Sequence, residues 1–371
     1  MILLNDFKKQ WQKIQPLASK SFTRVGENGE LILGKEVDRF EKAIATLLNI
    51  QFATGCASGL DAIELSLRCL EVGPGDKILT TPLSAFATSL AIIKVGAIPV
   101  FVDVDVSGGL NLDLCEQLLE KNENIKCILP VHLYGQPLNL KKLKYLKENF
   151  NIPVIEDCAQ SILAKYDGEL TGTIGELSAI SLYPTKNLGC LGDGGIILTN
   201  HLDLAKKVNA LRNYGQMERY QHEYIGYNSR LDELQAAILN DALLPQLNYF
   251  TTQRKQTAKL YLDNIKNKSI QLIFPISYSE PVWHIFPVLI HGSRQNFQDF
   301  MLTNGIQTAI HYPTLIPHQP VVQKNKISIK VFGDLSRASF FANQQVSLPI
   351  HPFLTQDEIY KIIDCCNQWS N

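Results

Sequence analysis

Lys186 is the residue whose setting most clearly predicts chemistry. It lies in a glycine-bearing turn between two short apolar runs, residues 179–182 and 196–198, that are typical of buried strands. A lysine that a turn delivers to a strand end among apolar side chains has a lowered pKa and can act as an amine nucleophile. Most lysines are simply exposed surface residues, so the prediction depends on which residues would surround this one.

Three further residues occupy positions where an α/β sheet binds ligands. Asp157 follows an apolar run, Ser181 ends another, and Gly59 begins a predicted helix. Ligands of open α/β sheets bind beyond the carboxyl ends of the strands, and helix N-termini bind anions. Each residue alone has an ordinary explanation as a cap or a turn residue. Together with Lys186 and the aromatic Phe86, they fit pyridoxal phosphate, which needs a lysine, a carboxylate at its ring nitrogen, an anion site and an aromatic face.

The elements that must position these residues alternate between helix and strand up to about residue 200. The helices are predicted at residues 36–48, 59–70, 84–95 and 140–149, and the strands at 77–80, 99–103, 126–131 and 153–157. Short apolar runs that alternate with helices indicate an α/β domain with a mostly parallel sheet. The handedness of the crossovers then places helices on both faces of the sheet.

The pattern changes after residue 200. Helices are predicted at residues 201–213, 231–247, 294–304, 334–342 and 356–368, strands at 284–290, 307–311 and 345–348, and a polar amphipathic stretch at 253–268. This arrangement predicts a smaller C-terminal α+β domain. We therefore expect a large domain over residues 1–250 and a small one over residues 251–371, in keeping with the 371-residue length.

Composition argues against several classes of function. The net charge is −1 and the basic residues form no stripe, so nucleic acid is not an expected partner. The eight cysteines form no C-x-x-C pair, which predicts no metal site and no disulfide framework and suits the cytoplasm. Asn5 and Asp6 follow the four apolar residues 1–4 at once, so no signal peptide is expected, and the longest apolar stretch is too interrupted to span a membrane.

Several motifs, in order along nearly the whole chain, resemble the DegT/DnrJ/EryC1/StrS family of sugar-nucleotide aminotransferases, which are fold-type I pyridoxal-phosphate enzymes. They are LILG at residues 31–34, SGLDA at 58–62, GAIPVFVD at 96–103, VHLYG at 131–135, EDCAQ at 156–160, PTKNLG at 184–189, NSRLDELQAA at 228–237, IHYP at 310–313 and HP at 351–352. Any one motif would be weak, whereas the ordered set is specific.

The resemblance implies a role for each matching residue. Lys186 would bind the cofactor and then carry the proton to and from the substrate carbon, and Asp157 would keep the ring nitrogen protonated. Gln160 would lie near the 3-hydroxyl and Phe86 on the ring face. The cofactor phosphate would be held by residues of this chain and of a neighbouring subunit, namely Gly59, Leu60 and Asp61 through the backbone, Ser181, and the neighbour's Asn228. A homodimer with shared active sites follows from the last role.

Two residues of this chain differ from the family pattern and affect the expected cofactor and substrate contacts. The family usually has threonine at the position of Leu60, so a hydroxyl contact is lost unless Ser58 replaces it, and an aromatic residue is common at the position of Leu31. Relatives that perform dehydration carry histidine at the position of Lys186. This chain keeps the lysine, so the resemblance favours transamination.

The closest resemblance within the family is to enzymes that aminate C3 of dTDP-linked 3-keto-6-deoxyhexoses, carried by residues 186–195, 212–215 and 226–235. It implies an exchange in which L-glutamate loads the amino group and the keto sugar then receives it. The product would serve surface polysaccharide, lipopolysaccharide O-antigen or glycoside biosynthesis. Candidates for binding the nucleotide sugar are Tyr183, Arg219, Tyr220, His311 and Tyr312.

Three alternative functions make different demands on the sequence. Amination at C4 of a nucleotide-linked 4-keto sugar would use the same catalytic residues. A regulatory protein on this fold would be expected to lack the lysine or its partners, and Lys186, Asp157 and Ser181 are present. A nicotinamide-dependent oxidoreductase would need a G-x-G-x-x-G turn after a first strand, which the glycines at 192–195 do not match.

Overall fold

The computed structural model describes residues 1–121 and 123–370. Its helices are α1 Phe7–Asn28, α2 Lys35–Leu48, α3 Gly59–Cys69, α4 Phe86–Lys94, α5 Leu112–Leu119, α6 Leu140–Asn149, α7 Leu202–Leu211, α8 Glu233–Ile238, α9 Leu247–Asn264, α10 Arg294–Thr303, α11 Pro320–Lys324, α12 Ser336–Gln344 and α13 Gln356–Gln368. Its strands are β1 Phe52–Cys56, β2 Lys77–Thr80, β3 Ile98–Val102, β4 Ile125–Leu129, β5 Ile155–Asp157, β6 Lys165–Tyr166, β7 Glu169–Leu170, β8 Leu177–Ser181, β9 Gly195–Thr199, β10 Gln216–Glu218, β11 Gln221–His222, β12 Ile270–Leu272, β13 Ser279–Glu280, β14 Phe286–Ile290, β15 Lys330–Phe332 and β16 Gln345–Leu348.

Two four-stranded sheets, ordered β1-β9-β8-β5 and β15-β3-β2-β4, form the large β-layer. Strands β4 and β5 meet at the parallel bridges between Ile128 and Val154 and between Val131 and Asp157, so the two sheets continue into one another. Pairing is parallel except around β9, which runs antiparallel to β1 and β8. The predicted mostly parallel mixed sheet is thereby confirmed.

Helices cover both faces of this layer because successive strand residues point to opposite sides. In β9, Ile197 packs in a core with α3, α4 and α7, whereas Ile196 and Leu198 pack with α1, α2 and α8. Helices α5 and α6 bury their leucines against β2, β3 and β4 in another core. The predicted placement of helices on both faces is also confirmed.

The C-terminal part is built on the antiparallel sheet β12-β14-β16. Phe286, Phe297 and Trp369 are buried in its core with residues of α9, α10 and α13. Two segments cross between the parts, since Ile2 belongs to this core and β15 pairs with β3 of the large layer.

The predicted strand over residues 307–311 is wrong, although β14 and β16 match their predictions. Within this segment only Ala309 forms an isolated bridge, to Ser347. The backbone N–H of Gln307 instead donates to the carbonyl of Ile2, so the N-terminal segment takes a partner that the local pattern could not reveal. Across the described residues, none of the helices has the length and apolar character needed to cross a membrane.

Candidate active site

The loop that carries Lys186 is held closed by its own backbone. The N–H of Leu182 donates to the carbonyl of Gly194, the N–H of Cys190 donates to the carbonyl of Leu182, and the N–H of Lys186 donates to the carbonyl of Tyr183, each at 2.8 Å. This turn follows β8, as the apolar run predicted, and returns the chain to β9.

A glycine and an asparagine fix where this loop lies. A Cβ at Gly189 would lie 2.4 Å from the carbonyl oxygen of Pro184, so a side chain there would force the turn open. The buried Asn187 donates from Nδ2 to the carbonyl of Val282 at 3.0 Å, which ties the loop to the segment before β14. Lys186 is therefore presented from a constrained turn between the two parts of the chain.

Asp157 ends β5 and is 3% exposed. Its Oδ1 accepts from the backbone N–H of Ala159 at 3.0 Å, and its Oδ2 accepts from Thr88 Oγ1 at 2.8 Å. Thr88 in turn lies 3.1 Å from the Oγ of Ser84. Burial raises the pKa of Asp157, while these hydrogen bonds and the charge of Lys186 oppose that rise.

Lys186 and Asp157 are electrostatically linked. Burial lowers the pKa of Lys186 to about 8, and the charge of Asp157 limits the fall. A lysine with that pKa has a substantial neutral fraction near physiological pH, which ordinary lysines lack. The amine predicted from sequence is thus available as a nucleophile and as a base.

The N-terminus of α3 lines the same site as Asp157. Ser58 caps the helix by accepting from the N–H of Asp61 at 3.1 Å, so the hydroxyl of Ser58 serves the helix. Gly59 packs directly on Ser181, since a Cβ at Gly59 would lie 2.6 Å from the Ser181 Cβ. A helix N-terminus and a serine hydroxyl thus meet at a point where no side chain fits, an arrangement suited to an anion.

One cavity of about 250 Å³ joins these groups. Seven of the residues predicted from sequence line it: Gly59, Leu60, Asp157, Gln160, Ser181, Tyr183 and Lys186. Gln160 is fixed there because its Oε1 accepts from the backbone N–H of Tyr134 at 2.6 Å. The structure therefore brings the predicted lysine, carboxylate and anion site into a single space.

Two predicted residues lie beside this cavity without lining it. Phe86 is the first residue of α4 and is half-buried, and its neighbours Ala85 and Ala87 contribute to the wall. The carboxylate of Asp61 accepts from Ser229 Oγ at 2.6 Å, and its amide is engaged by Ser58. The stacking role of Phe86 and the phosphate role of the Asp61 amide stay predictions.

Three other predicted residues lie outside the cavity of their own chain. Arg219 and Tyr220 occupy the tip of the β10–β11 hairpin, are exposed, and stack with the guanidinium carbon 5.1 Å from the ring centre. Asn228 is exposed too, and its Oδ1 accepts from Arg230 Nε at 2.9 Å. Within one chain, these residues do not meet Lys186.

His311 and Tyr312 lie on the side of the Lys186 loop that faces the C-terminal part. His311 lines a second cavity of about 130 Å³ with Thr185, His284 and Ser347. The hydroxyl of Tyr312 accepts from Gln160 Nε2 at 3.3 Å, which links the two cavities. Burial and the charge of Lys186 lower the pKa of His311 to about 4, so its imidazole is neutral near pH 7.

The sequence analysis missed Thr88, Ser84 and His284. Ser84 lies just before the mostly apolar α4 and Thr88 lies in its first turn, and this polar pair four residues apart was the available signal. Burial lowers the pKa of His284 well below its usual value, and its buried Nδ1 has no hydrogen-bond partner among the described residues. No sequence pattern marks His284.

A buried cluster next to the site is structural. The ligand-type atoms of His132, Glu156 and Cys158 lie within 4.8 Å of one another. However, His132 Nδ1 accepts from the N–H of Leu138, which leaves its Nε2–H to donate to Glu156 at 2.9 Å. Both carboxylate oxygens of Glu156 also accept backbone N–H groups. These contacts already occupy the His132 and Glu156 atoms that a metal would need.

The residues of the first cavity fit pyridoxal phosphate. The Gly59–Ser181 contact and the N-terminus of α3 would hold its phosphate, Asp157 its ring nitrogen, and Lys186 its aldehyde carbon. When bound, this group supplies an electron-accepting ring next to the substrate carbon. The buried and hydrogen-bonded Asp157 and the low pKa of Lys186 are the features that such a ring requires.

Comparison with known proteins agrees with this geometry. The sequence model of the DegT/DnrJ/EryC1/StrS aminotransferase family matches residues 12–367. The dTDP-3-amino-3,6-dideoxy-alpha-D-galactopyranose transaminase of Aneurinibacillus thermoaerophilus is 37% identical over 100% of this chain and 99% of its own. A pleiotropic regulatory protein of Geobacillus stearothermophilus is 35% identical over 97% and 96% of the two chains. The crystal structure of S. venezuelae DesV in complex with a ketimine intermediate has a TM-score of 0.92 at 35% identity and covers 100% of this chain and 98% of that one.

Proposed function

The chain belongs to the DegT/DnrJ/EryC1/StrS aminotransferase family, and we propose that it aminates C3 of a dTDP-3-keto-6-deoxyhexose with L-glutamate as donor. It is a pyridoxal-phosphate-dependent sugar-nucleotide aminotransferase of fold-type I. The observation that supports catalysis most strongly is the shared cavity of Lys186, Asp157 and the Gly59–Ser181 contact. A nucleophilic amine, a buried carboxylate and an anion site are the three protein groups that the reaction needs.

Each residue of the site would have its own role in the reaction. Lys186 Nζ removes the proton from the Cα of L-glutamate and later delivers a proton to C3 of the sugar, since its pKa of about 8 suits both directions. Asp157 holds the proton on the ring nitrogen. Thr88 and the Ala159 amide keep its carboxylate in place.

The choice of a dTDP-linked 3-keto sugar rests on similarity. A relative that is 37% identical over the whole chain is a dTDP-3-amino-3,6-dideoxy-alpha-D-galactopyranose transaminase, although a UDP-2-acetamido-2-deoxy-3-oxo-D-glucuronate aminotransferase is equally identical. The nucleotide diphosphate carries two negative charges, which Arg219 would meet, and tyrosine hydroxyls would complement it. Tyr183 lines the cavity of its own chain, and Tyr312 accepts a hydrogen bond from Gln160 in its wall, which supports a contact of both tyrosines with the sugar.

We further propose a homodimer in which each subunit completes the other's site. Arg219, Tyr220 and Asn228 are exposed and lie away from the Lys186 cavity of their own chain. Tyr214, Met217 and Ile225 in the same segment are also exposed, with Ile225 at 94%. Exposed apolar side chains beside the charged tip suit contact with a second copy.

Three broader proposals accompany this function. The unpaired state of all eight cysteines suits a reducing compartment, which supports the cytoplasm as the site of action. The division into residues 1–250 and 251–371 is supported by separate cores on the large layer and on the C-terminal sheet. The aminated sugar would then serve surface polysaccharide, O-antigen or glycoside biosynthesis.

Regiochemistry tests the proposal. The holoenzyme would be incubated with L-glutamate and, in separate reactions, a dTDP-3-keto-6-deoxyhexose, its UDP-linked counterpart and a dTDP-4-keto-6-deoxyhexose. NMR of the product is expected to place nitrogen on C3 of the dTDP sugar, and Lys186→Arg is the matched inactive control. Preferred amination at C4 would establish the alternative function, and preference for the UDP sugar would change the nucleotide.

A further inference from the structure

His311 belongs to a closed ring of hydrogen bonds with two buried residues of β16. Its backbone N–H donates to Gln345 Oε1 at 2.7 Å. Gln345 Nε2 donates to Ser347 Oγ at 2.7 Å, and Ser347 Oγ lies 2.8 Å from His311 Nδ1. Gln345 and Ser347 are 0% and 1% exposed, so solvent does not compete for these bonds.

The fold explains why the three side chains meet. Gln345 and Ser347 are two residues apart on a strand and therefore point to the same side of the sheet. The bridge between Ala309 and Ser347 aligns the segment that carries His311 alongside this strand. Both polar side chains of β16 are thereby aimed at one imidazole.

The donor and the acceptor of each hydrogen bond in this ring can be assigned by starting from the backbone N–H of His311. A backbone N–H can only donate, so the atom of Gln345 that faces it must be the oxygen, which leaves Nε2 to donate to Ser347. Ser347 Oγ then accepts one bond and has a single proton to give. With an accepting His311 Nδ1, that proton has its partner 2.8 Å away, whereas a protonated Nδ1 would leave it without an acceptor among the described residues, and we therefore assign the acceptor role to Nδ1. A neutral imidazole with an accepting Nδ1 carries its proton on Nε2.

That Nε2–H has no partner in the described parts of the chain, and His311 and Ser347 line the cavity shared with Thr185 and His284. A neutral N–H offers one directed hydrogen bond without adding a positive charge beside Lys186. Such a donor suits an uncharged oxygen better than a carboxylate or a diphosphate, which favour cations. A hydroxyl or carbonyl oxygen of a sugar has that chemistry.

We propose that Gln345 and Ser347 are positioning residues that hold His311 as the Nε2–H tautomer, which donates to a sugar oxygen of the nucleotide-linked acceptor. The inference rests on the proposed function, because it takes the acceptor to be a sugar. The sequence predicts only that His311 contacts the nucleotide sugar. The proposal gives His311 a specific role, the donation of a single uncharged hydrogen bond.

The tautomer can be read directly by ¹⁵N NMR of the holoenzyme labelled at histidine. The His311 signals are identified as those missing from His311→Gln. The wild type is expected to show a protonated Nε2 and an unprotonated Nδ1. Ser347→Ala removes the hydroxyl and is expected to give a mixture of tautomers, whereas Ser347→Thr, whose methyl the adjoining cavity can take, is expected to restore the single form. Ser339→Ala on α12 is the matched control for the substitution itself.

Kinetics supply the second readout. Ser347→Ala is expected to raise KM for the keto sugar about fivefold, the effect of losing one neutral hydrogen bond, with the glutamate half-reaction unchanged. His311→Gln places an amide N–H near the Nε2 position and should keep more acceptor affinity than His311→Asn, whose amide reaches only the Nδ1 position. A protonated Nδ1 in the wild type, or an unaltered tautomer in Ser347→Ala, would overturn the inference while transamination persists. Failure of the proposed function would instead appear as no amination of any keto sugar.

Discussion

Thr88 Oγ1 donates to Asp157 Oδ2 across 2.8 Å, from the first turns of α4 to the end of β5. The other carboxylate oxygen accepts from the amide of Ala159. Both oxygens of the buried carboxylate are thereby oriented before any ligand binds. The remaining acceptor capacity of Asp157 is available to the cavity that Lys186 shares with it.

This contact predicts the effect of Thr88→Val, which keeps the shape of the side chain and removes the donor. The loss of a hydrogen bond to a charged group costs about 1.5–3 kcal/mol, so the rate of the L-glutamate half-reaction should fall about 10- to 100-fold. Rapid-mixing absorbance of the holoenzyme measures that rate. Ser89→Ala is the matched control because the buried Oγ of Ser89 has no partner among the described residues, and it should leave the rate unchanged.

Gly59→Ala is expected to weaken cofactor binding at least tenfold. The new methyl would lie 2.6 Å from the Ser181 Cβ and would push the serine and the helix end apart where the phosphate is to be held. Titration of the apoprotein with pyridoxal phosphate gives the dissociation constant. Gly73→Ala, which has nothing within 4 Å of its added Cβ, should bind like the wild type. Equal affinity in both variants would remove the N-terminus of α3 from the phosphate site.

The amine of Lys186 should titrate with a pKa near 8 in the apoprotein, against the usual value of 10.5. Because the folded-state pKa is lowered, the reactive neutral form increases as the pH rises through about 8. The rate of its acylation, followed by mass spectrometry of the Lys186 peptide against pH, measures the midpoint. Asp157→Asn removes the charge that limits the fall and should move the midpoint below 8. A midpoint near 10 in the wild type would contradict the account.

The hydrogen bonds of Glu156 predict a large effect on stability. Burial raises the pKa of this carboxyl, but the hydrogen bonds from His132 and from the amides of Gly175 and Gly172 outweigh burial and hold the pKa below its usual value. Its contribution to stability is therefore present above the pKa of the unfolded chain and is lost as the pH falls through the folded-state value.

Glu156→Gln should thus lower the free energy of unfolding by about 3 kcal/mol at pH 7, because an amide donor would face N–H donors. Denaturant unfolding measures the change. The exposed Glu120→Gln serves as control and should change stability by less than about 0.5 kcal/mol. A small effect of Glu156→Gln would mean that the cluster tolerates an unpaired donor.

The sequence was sufficient for the parts of the site that follow from strand ends. Asp157, Ser181 and Lys186 could be placed together because parallel strands bring their carboxyl ends to one edge of the sheet. The ring of His311, Gln345 and Ser347 could not be found in this way. The ring depends on side-chain hydrogen bonds between β16 and the segment of residues 307–311. The sequence predicted a strand over residues 307–311, and a strand would pair with its neighbour through the backbone instead.

The positions of Arg219, Tyr220 and Asn228 show another limit of the sequence analysis. Their residue types suit a nucleotide diphosphate and a phosphate, yet in the single chain they are exposed and do not line the Lys186 cavity. A pattern along one chain predicts what these side chains can bind and not which subunit's site they serve. The proposed homodimer is what joins them to the site.

The most direct test of the central claim is the first half of the reaction on its own. Purified protein reconstituted with pyridoxal phosphate and desalted would be mixed with L-glutamate in the absence of any sugar, and 2-oxoglutarate would be quantified against bound cofactor. We predict one equivalent of 2-oxoglutarate per cofactor, loss of the visible absorbance in step with it, and neither change in Lys186→Arg. Equal amounts of 2-oxoglutarate from the wild type and Lys186→Arg, or no 2-oxo acid from the cofactor-loaded wild type with L-glutamate or any other amino acid, would contradict the account.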